Sequence, residues 1–275
     1  MIKKILNFTK IEHTAFSLPL LFTGAWLGGQ AQWPHIRILL LIIAAAMGAR
    51  IFGMSFNRIF DRHIDAQNPR TADRELPSGS LSVATALTVA VAGLILYLVA
   101  CALLGRWCLY LSPLPLIPLL SYSLLKRFTW LCHFGIGLCL ALAPLGAFVA
   151  VAGYPKFSFE VLLFSGFVFC WLSGADIIYA LLDIDSDRRN KIYSLPARMG
   201  SKQAQWISAT THLVALICLA LLLAILKAGI PALLALAVTV VTFVLMYVPS
   251  IPVHRRFFPM ATLAGVAGSI TPLLA

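Results

Sequence analysis

Charge is what this sequence has least of. Only 11% of its 275 residues are Asp, Glu, Lys or Arg, where a soluble domain carries roughly a quarter. With 60% of the chain hydrophobic and a mean hydropathy of +0.92, the shortage excludes a soluble globular domain and points to an integral membrane protein. A cleavable-signal pattern is also missing: Lys3, Lys4 and Lys10 run into Glu12 and His13 before the first long apolar segment, so no cleaved leader is expected. Close cysteine pairs are lacking too. Cys101, Cys108, Cys132, Cys139, Cys170 and Cys218 lie in or against apolar stretches and read as small packing residues rather than metal ligands.

What is present is apolar and long. Runs near 14–29, 36–60, 81–104, 107–124, 130–153, 158–182, 204–226, 229–250 and 257–275 each approach the ~20 residues needed to cross a bilayer. The expectation is an all-α polytopic protein with nine transmembrane helices and its termini on opposite sides. With the N-terminus cytoplasmic, the inside segments hold Lys3, Lys4, Lys10, Arg58, Arg62, Arg70, Arg74, Lys126, Arg127, Arg188, Arg189, Lys191, Arg198, Lys202, Arg255 and Arg256, which is sixteen of the 21 basic residues. Outside lie only Arg37, Arg106, Lys156 and Lys227, and Arg50 falls within the second span. The bias predicts that these loops face the cytoplasm, and the cell inner (cytoplasmic) membrane is the expected location. It also accounts for the +11 net charge without a nucleic-acid partner. Trp33, Trp107 and Trp130, near span ends, read as interfacial anchors.

Positive-inside sorting does not ask for acids, yet eight of the ten fall in two places: Asp61, Asp65, Asp73 and Glu75, then Asp176, Asp183, Asp185 and Asp187. Asp61 and Asp65 are four residues apart, as are Asp183 and Asp187, so on helices each pair shares a face. Asn57 extends the first row; Asp176 and Tyr179 extend the second. Pro69 disfavours helix at Asn68, so the second helix should stop near Gln67 and carry Asp61 and Asp65 on its last turns. Like charges there repel and oppose the helix dipole. One such pair is an ordinary solvated helix end; two of them suggest a bound cation. Oxygen donors suit hard cations, and magnesium takes one or two carboxylates and completes its shell with water and phosphate. Arg70, Arg74, Lys126, Arg127 and Arg188 are suited to phosphate oxygens. The chemistry implied is a diphosphate held by Mg2+ at a membrane surface. Arg50, ionisable inside a span, is a functional candidate, with pairing to a structural acid as its alternative. Glu12 and His13 serve either helix capping or an acceptor site.

Three passages carry a family resemblance. "NRIFDRHIDAQNPRTADRELPSG" (57–79), "YSLLKRFT" (122–129) and "DIIYALLDIDSDRRNKIYSLPARMG" (176–200) resemble, in order, the signatures of the UbiA-type intramembrane aromatic prenyltransferases. The likeness covers nearly the whole chain, as a single domain over 1–275. It implies nine helices around a central cavity, with cytoplasmic cap loops after the second and sixth helices and a lateral opening to lipid. It also implies transfer of a prenyl chain from a polyprenyl diphosphate to a ring carbon of an aromatic acid acceptor. By that resemblance Asn57, Asp61 and Asp65 hold one Mg2+, and Asp183 and Asp187 another. Lys126, Arg127 or Arg70 neutralises the leaving diphosphate, and Asp176 acts on the acceptor. Arg50, Asn57, Arg70, Arg74, Tyr122, Lys126, Arg127 and Tyr179 form the implied substrate-binding set. The acceptor is 4-hydroxybenzoate, for ubiquinone, or a dihydroxynaphthoate, for menaquinone. "KIEHTAFSLP" and "GARIFGMSFNRIFDR" are the more similar to the second branch, while Arg50 suits either carboxylate. A transporter or channel using the same acids as a cation path is the reading from another class.

Overall fold

Segments this apolar must satisfy their backbone groups internally, and helices do so. The protein, a computed structural model, is described over residues 2–10 and 14–275, with side chains over 4–10 and 17–275. Glu12 and His13 lie outside the described residues. Among those described there is no strand. The helices are α1 (Ile2–Thr9), α2 (Thr14–Gly28), α3 (Ile36–Gln67), α4 (Val83–Leu104), α5 (Arg106–Leu111), α6 (Pro113–Leu125) and α7 (Cys132–Ala152). They continue with α8 (Phe159–Tyr179), α9 (Ile184–Arg189), α10 (Leu195–Met199), α11 (Ser201–Leu226), α12 (Ile230–Leu245), α13 (Val253–Arg255) and α14 (Thr262–Ile270).

Among the described residues, 7 helical stretches are long and apolar enough to cross a membrane. They are 36–67, 83–104, 106–125, 132–152, 159–189, 201–226 and 253–274. Ser17–Gly28 and Ile230–Leu245 are apolar but shorter. The fourth expected span is broken between Leu111 and Pro113, where α5 gives way to α6. The ninth contains a π-helical turn at Arg256–Ala261, with Pro259 inside it.

The helix α8 is the most enclosed, with Phe164, Phe167, Ala175, Ile177 and Ile178 fully buried. It packs on α7 and α11, while α3 packs on α4 and α2 on α7. Burial in lipid supplies little drive between helices, so close backbone approach matters. A Cβ on Gly24 would run into the Pro144 carbonyl, and one on Gly48 would meet the Tyr97 backbone.

Two terminations position the polar residues. The α3 helix runs 32 residues, about 48 Å at 1.5 Å per residue, and so outruns a ~30 Å hydrocarbon core. It ends where foreseen: the Asn68 N–H donates to the Asp65 carbonyl at 3.3 Å, and Thr71 Oγ1 donates to the same carbonyl at 2.9 Å. Helical spacing predicts one continuous row through Asp176, Tyr179, Asp183 and Asp187. Instead, α8 stops at Tyr179 and a 3-10 turn spans Ala180–Asp183 before α9. Such tightening is frequent at α-helix ends, and it turns Asp183 relative to Asp176.

Candidate functional site

The C-terminal ends of α3, α6 and α8 and the start of α7 bring the charged side chains together. Asp61 on α3 is buried, 3% exposed. Its Oδ2 accepts from Lys126 Nζ at 2.7 Å and from Asn57 Nδ2 at 3.1 Å. Its Oδ1 is buried with no hydrogen-bond partner. One turn on, both oxygens of Asp65 accept from Arg74 Nη1, at 2.9 and 2.8 Å. Arg58, on the buried side of the same turn, faces Glu75 at 3.6 Å and ties the 68–82 segment to α3.

The second row meets the first across that segment. Arg70 donates through Nε and Nη2 to the two oxygens of Asp183, at 3.0 and 2.6 Å, and Asn68 Nδ2 donates to Oδ1 at 2.8 Å. Such forked pairing fixes orientation as well as charge. Arg70 Nη1 also donates to the Tyr179 hydroxyl. Burial pulls the Arg70 pKa down, but the hydrogen bond to Asp183 and the nearby Tyr179, Asp183 and Asp65 outweigh it and leave it raised. Asp187 Oδ2 accepts from Ser194 Oγ at 2.5 Å. Asp176 Oδ2 lies 2.7 Å from His133 Nδ1, and His133 Nε2 accepts from the Leu195 N–H at 3.2 Å.

These groups line one end of a cavity of about 760 Å³. Arg50, Asn57, Asp61, Asp65, Arg70, Arg74, Tyr122, Lys126, Asp176, Tyr179, Asp183 and Asp187 all face it. Arg50 Nε donates to the Lys10 carbonyl at 3.0 Å. Asn68, Thr71, His133 and Ser194 line it as well, and much of the remaining lining is apolar, including Ile42, Ala46, Leu104, Leu140, Gly146 and Val149. From Asp61 back to Ile42, α3 rises about 28 Å, close to the hydrocarbon thickness.

Arg127 is not brought to this cavity. Its Nη2 donates to the Phe60 carbonyl, and it lines a separate basic hollow with Arg62, His63 and Lys191. Arg188 likewise turns away, donating to the Ala197 carbonyl at 3.2 Å. The four residues of "KRFT" leave α6 at Lys126, so consecutive cations point apart.

Among the described residues no three His, Cys, Asp or Glu side chains converge as a ready-made metal cage. The donor set still fits a hard divalent cation. Magnesium needs only one or two carboxylates beside phosphate and water, and the unpartnered buried Asp61 Oδ1 is an oxygen whose desolvation calls for a positive ligand.

Three contributors escape a reading by spacing: His133, Asn68 and Ser194. His133 is one apolar-flanked histidine in an apolar helix, and Asn68 and Ser194 belong to ordinary turns. Their parts are visible only in the hydrogen bonds to Asp176, Asp183 and Asp187.

Residues 17–274 match the family described as the UbiA prenyltransferase family. A 4-hydroxybenzoate octaprenyltransferase of Coxiella burnetii is 31% identical over 178 residues, which is 64% of this chain and 61% of that protein. The match thus takes in about three fifths of that relative's length. The corresponding protein of Tolumonas auensis is 29% identical over 211 residues, 74% of this chain and 71% of its own. Among solved structures, the apo form of a UbiA homolog from Aeropyrum pernix is 32% identical, with a TM-score of 0.83 over 96% of both chains. A UbiA homolog from Archaeoglobus fulgidus bound to GPP and Mg2+ shares the fold at 19% identity, with a TM-score of 0.68 over 98% of this chain and 99% of that one.

Proposed function

This chain belongs to the UbiA prenyltransferase family, and from that premise we propose that it transfers a polyprenyl chain from a prenyl diphosphate to a ring carbon of an aromatic carboxylate, with Mg2+ as cofactor. The observation that carries the reading is the buried, unpartnered Asp61 Oδ1, at the charged end of a cavity whose lining is elsewhere largely apolar. Such a site suits a molecule with a highly charged head and a long apolar tail.

The side chains have separable tasks. Asn57, Asp61 and Asp65 on one side, and Asp183 and Asp187 on the other, are the oxygens for Mg2+. When bound, Mg2+ supplies Lewis-acid neutralisation of the diphosphate. Lys126, Arg70 and Arg74 are the cations for phosphate oxygens, each now holding a carboxylate of the rows. Arg127, turned to Phe60, is left out of that set. The allylic C–O bond breaks with its electron pair leaving on the diphosphate. A ring π pair then forms the new C–C bond, and the displaced ring proton passes to a base. Asp176 would act on the acceptor, either on its phenolic proton or on the ring proton. Arg50 and Tyr122 complete the wall near the acceptor, and Tyr179 orients Arg70. The apolar walls keep water from the allylic cation.

The protein is an integral membrane protein, and we extend this to a single domain of nine crossings, two of them the short α2 and α12. The 68–82 and 190–200 segments cap the site on the cytoplasmic face of the inner membrane. The acceptor is 4-hydroxybenzoate or a dihydroxynaphthoate, placing the enzyme in ubiquinone or menaquinone synthesis. A Cβ at Gly146 meets only open space, about 20 Å along α7 from His133. Gly146→Phe is therefore expected to lower kcat/KM for an octaprenyl donor about tenfold relative to farnesyl diphosphate, measured with both donors in competition. An unchanged donor preference would put the tail elsewhere.

The transporter reading makes a different prediction. Protein in detergent with Mg2+ and farnesyl diphosphate should release diphosphate only when an aromatic acceptor is added. Sodium or proton flux in liposomes, with no such release, would favour the transporter.

A further inference from the structure

We propose that His133 is a positioning residue for the acceptor-side carboxylate, and that it links this carboxylate to the segment closing the site. The inference rests on the prenyl-transfer reading and names what holds Asp176 for its task.

The tautomer follows from the donors. A backbone N–H can only donate, so Leu195, 3.2 Å from Nε2, requires the lone pair there. A proton on Nε2 would set two hydrogens face to face. The ring proton therefore lies on Nδ1 and is donated to Asp176 Oδ2 at 2.7 Å. Both ring nitrogens are thus committed, and His133, 3% exposed, is itself no base for substrate. Its hydrogen bond fixes one Asp176 oxygen and leaves Oδ1 for the cavity that Asp176 lines. Second groups of this kind set the tautomer, orientation and basicity of the residue they hold.

The Leu195 N–H does not arrive alone. The Tyr193 N–H donates to the Lys126 carbonyl at 2.7 Å, Ser194 Oγ to Asp187 at 2.5 Å, and Leu195 N–H to His133. Three consecutive residues thus dock on the phosphate-side lysine, a metal-side carboxylate and the acceptor-side dyad. Correct seating of 193–195 and correct orientation of Asp176 become one event.

Two replacements separate positioning from packing. In His133→Asn the amide Nδ2 replaces the Nδ1 donor to Asp176; in His133→Gln the polar atoms fall where Nε2 was, and that donor is lost. With farnesyl diphosphate, Mg2+ and whichever acceptor wild type uses, H133Q is expected to lose roughly 10²-fold in kcat. H133N should stay within about fivefold of wild type, and the KM for farnesyl diphosphate should hold in both. Equal losses in the two variants, full turnover in both, or a KM effect on the diphosphate as the main change would overturn the proposal. The second readout is 15N NMR of histidine-labelled wild type, with the His133 signal assigned by its loss in H133N. An Nδ1–H tautomer whose signal moves in D176N is expected; an Nε2–H tautomer or an imidazolium would overturn the proposal even if the variants turn over too slowly for kinetics. Wild type that makes no product with any acceptor contradicts the prenyl-transfer reading, while the tautomer still decides the pairing.

Discussion

Asp61→Asn should lower turnover roughly 10³-fold while leaving the yield of folded, membrane-inserted protein unchanged. The substitution keeps the side chain's shape. Asn can still accept from Lys126 Nζ and Asn57 Nδ2 at the oxygen that accepts from both now. It removes the charge and replaces an oxygen by an amide, and hard cations bind carboxylate oxygen far better than an amide nitrogen. Stability should change little because two effects oppose. Lys126 loses its carboxylate, but its side chain is 25% exposed and its ammonium can reach water. A buried oxygen without a partner is meanwhile replaced by a neutral group that is less costly to bury. Turnover is read by product formation and folding by size exclusion and thermal melting. Asp73→Asn is the control: it lies in the same charged passage but does not line the cavity, and its turnover should stay within about twofold of wild type. Wild-type turnover in D61N would remove Asp61 from the mechanism.

Chelation should have an effect as large. With EDTA in excess, turnover is expected to fall at least ~10²-fold and to return on adding Mg2+. Charge matching gives the reason. Lys126, Arg74 and Arg70 are already matched to Asp61, Asp65 and Asp183, and Asp187 accepts from the Ser194 hydroxyl. A diphosphate entering between the rows meets no surplus positive charge from these groups. Two unit negative charges ~5 Å apart repel by about 3 kcal/mol at an effective dielectric of ~20, and several such pairs would form. Divalent cations held by the carboxylates would offset these repulsions. Product formation that ignores chelator would contradict the two-row scheme.

The sequence exposes the acids because their placement violates two local rules at once. Carboxylates repeated at i, i+4 on the last turns of an apolar helix are unfavourable by charge and by dipole, so they stand out without any fold. The end of α3 at Gln67 is equally legible, since Pro69 dictates it. Partner choice is not. Whether Arg70 or Arg127 reaches the cavity depends on how the 68–82 segment crosses to Asp183 and how the chain turns after Lys126, and composition is blind to both. The interruption of the second row at Ala180–Asp183 is hidden for a similar reason: "YALLDIDSD" contains no Gly or Pro to announce it. The break at Leu111–Pro113 does carry a proline signal, within a run that reads as one span. His133 is the hardest of all, because its meaning comes from Asp176, 43 residues on, and from Leu195, 62 residues on.

The most direct measurement uses purified protein in detergent with Mg2+ and farnesyl diphosphate. It is offered 4-hydroxybenzoate and 1,4-dihydroxy-6-naphthoate together, with products identified by mass and D61N run alongside. The expected result is one acceptor gaining a farnesyl group in place of a ring hydrogen, with diphosphate released and roughly 10³-fold less product from D61N. Folded wild-type protein that prenylates neither acceptor, with farnesyl or with longer donors, would contradict the assignment.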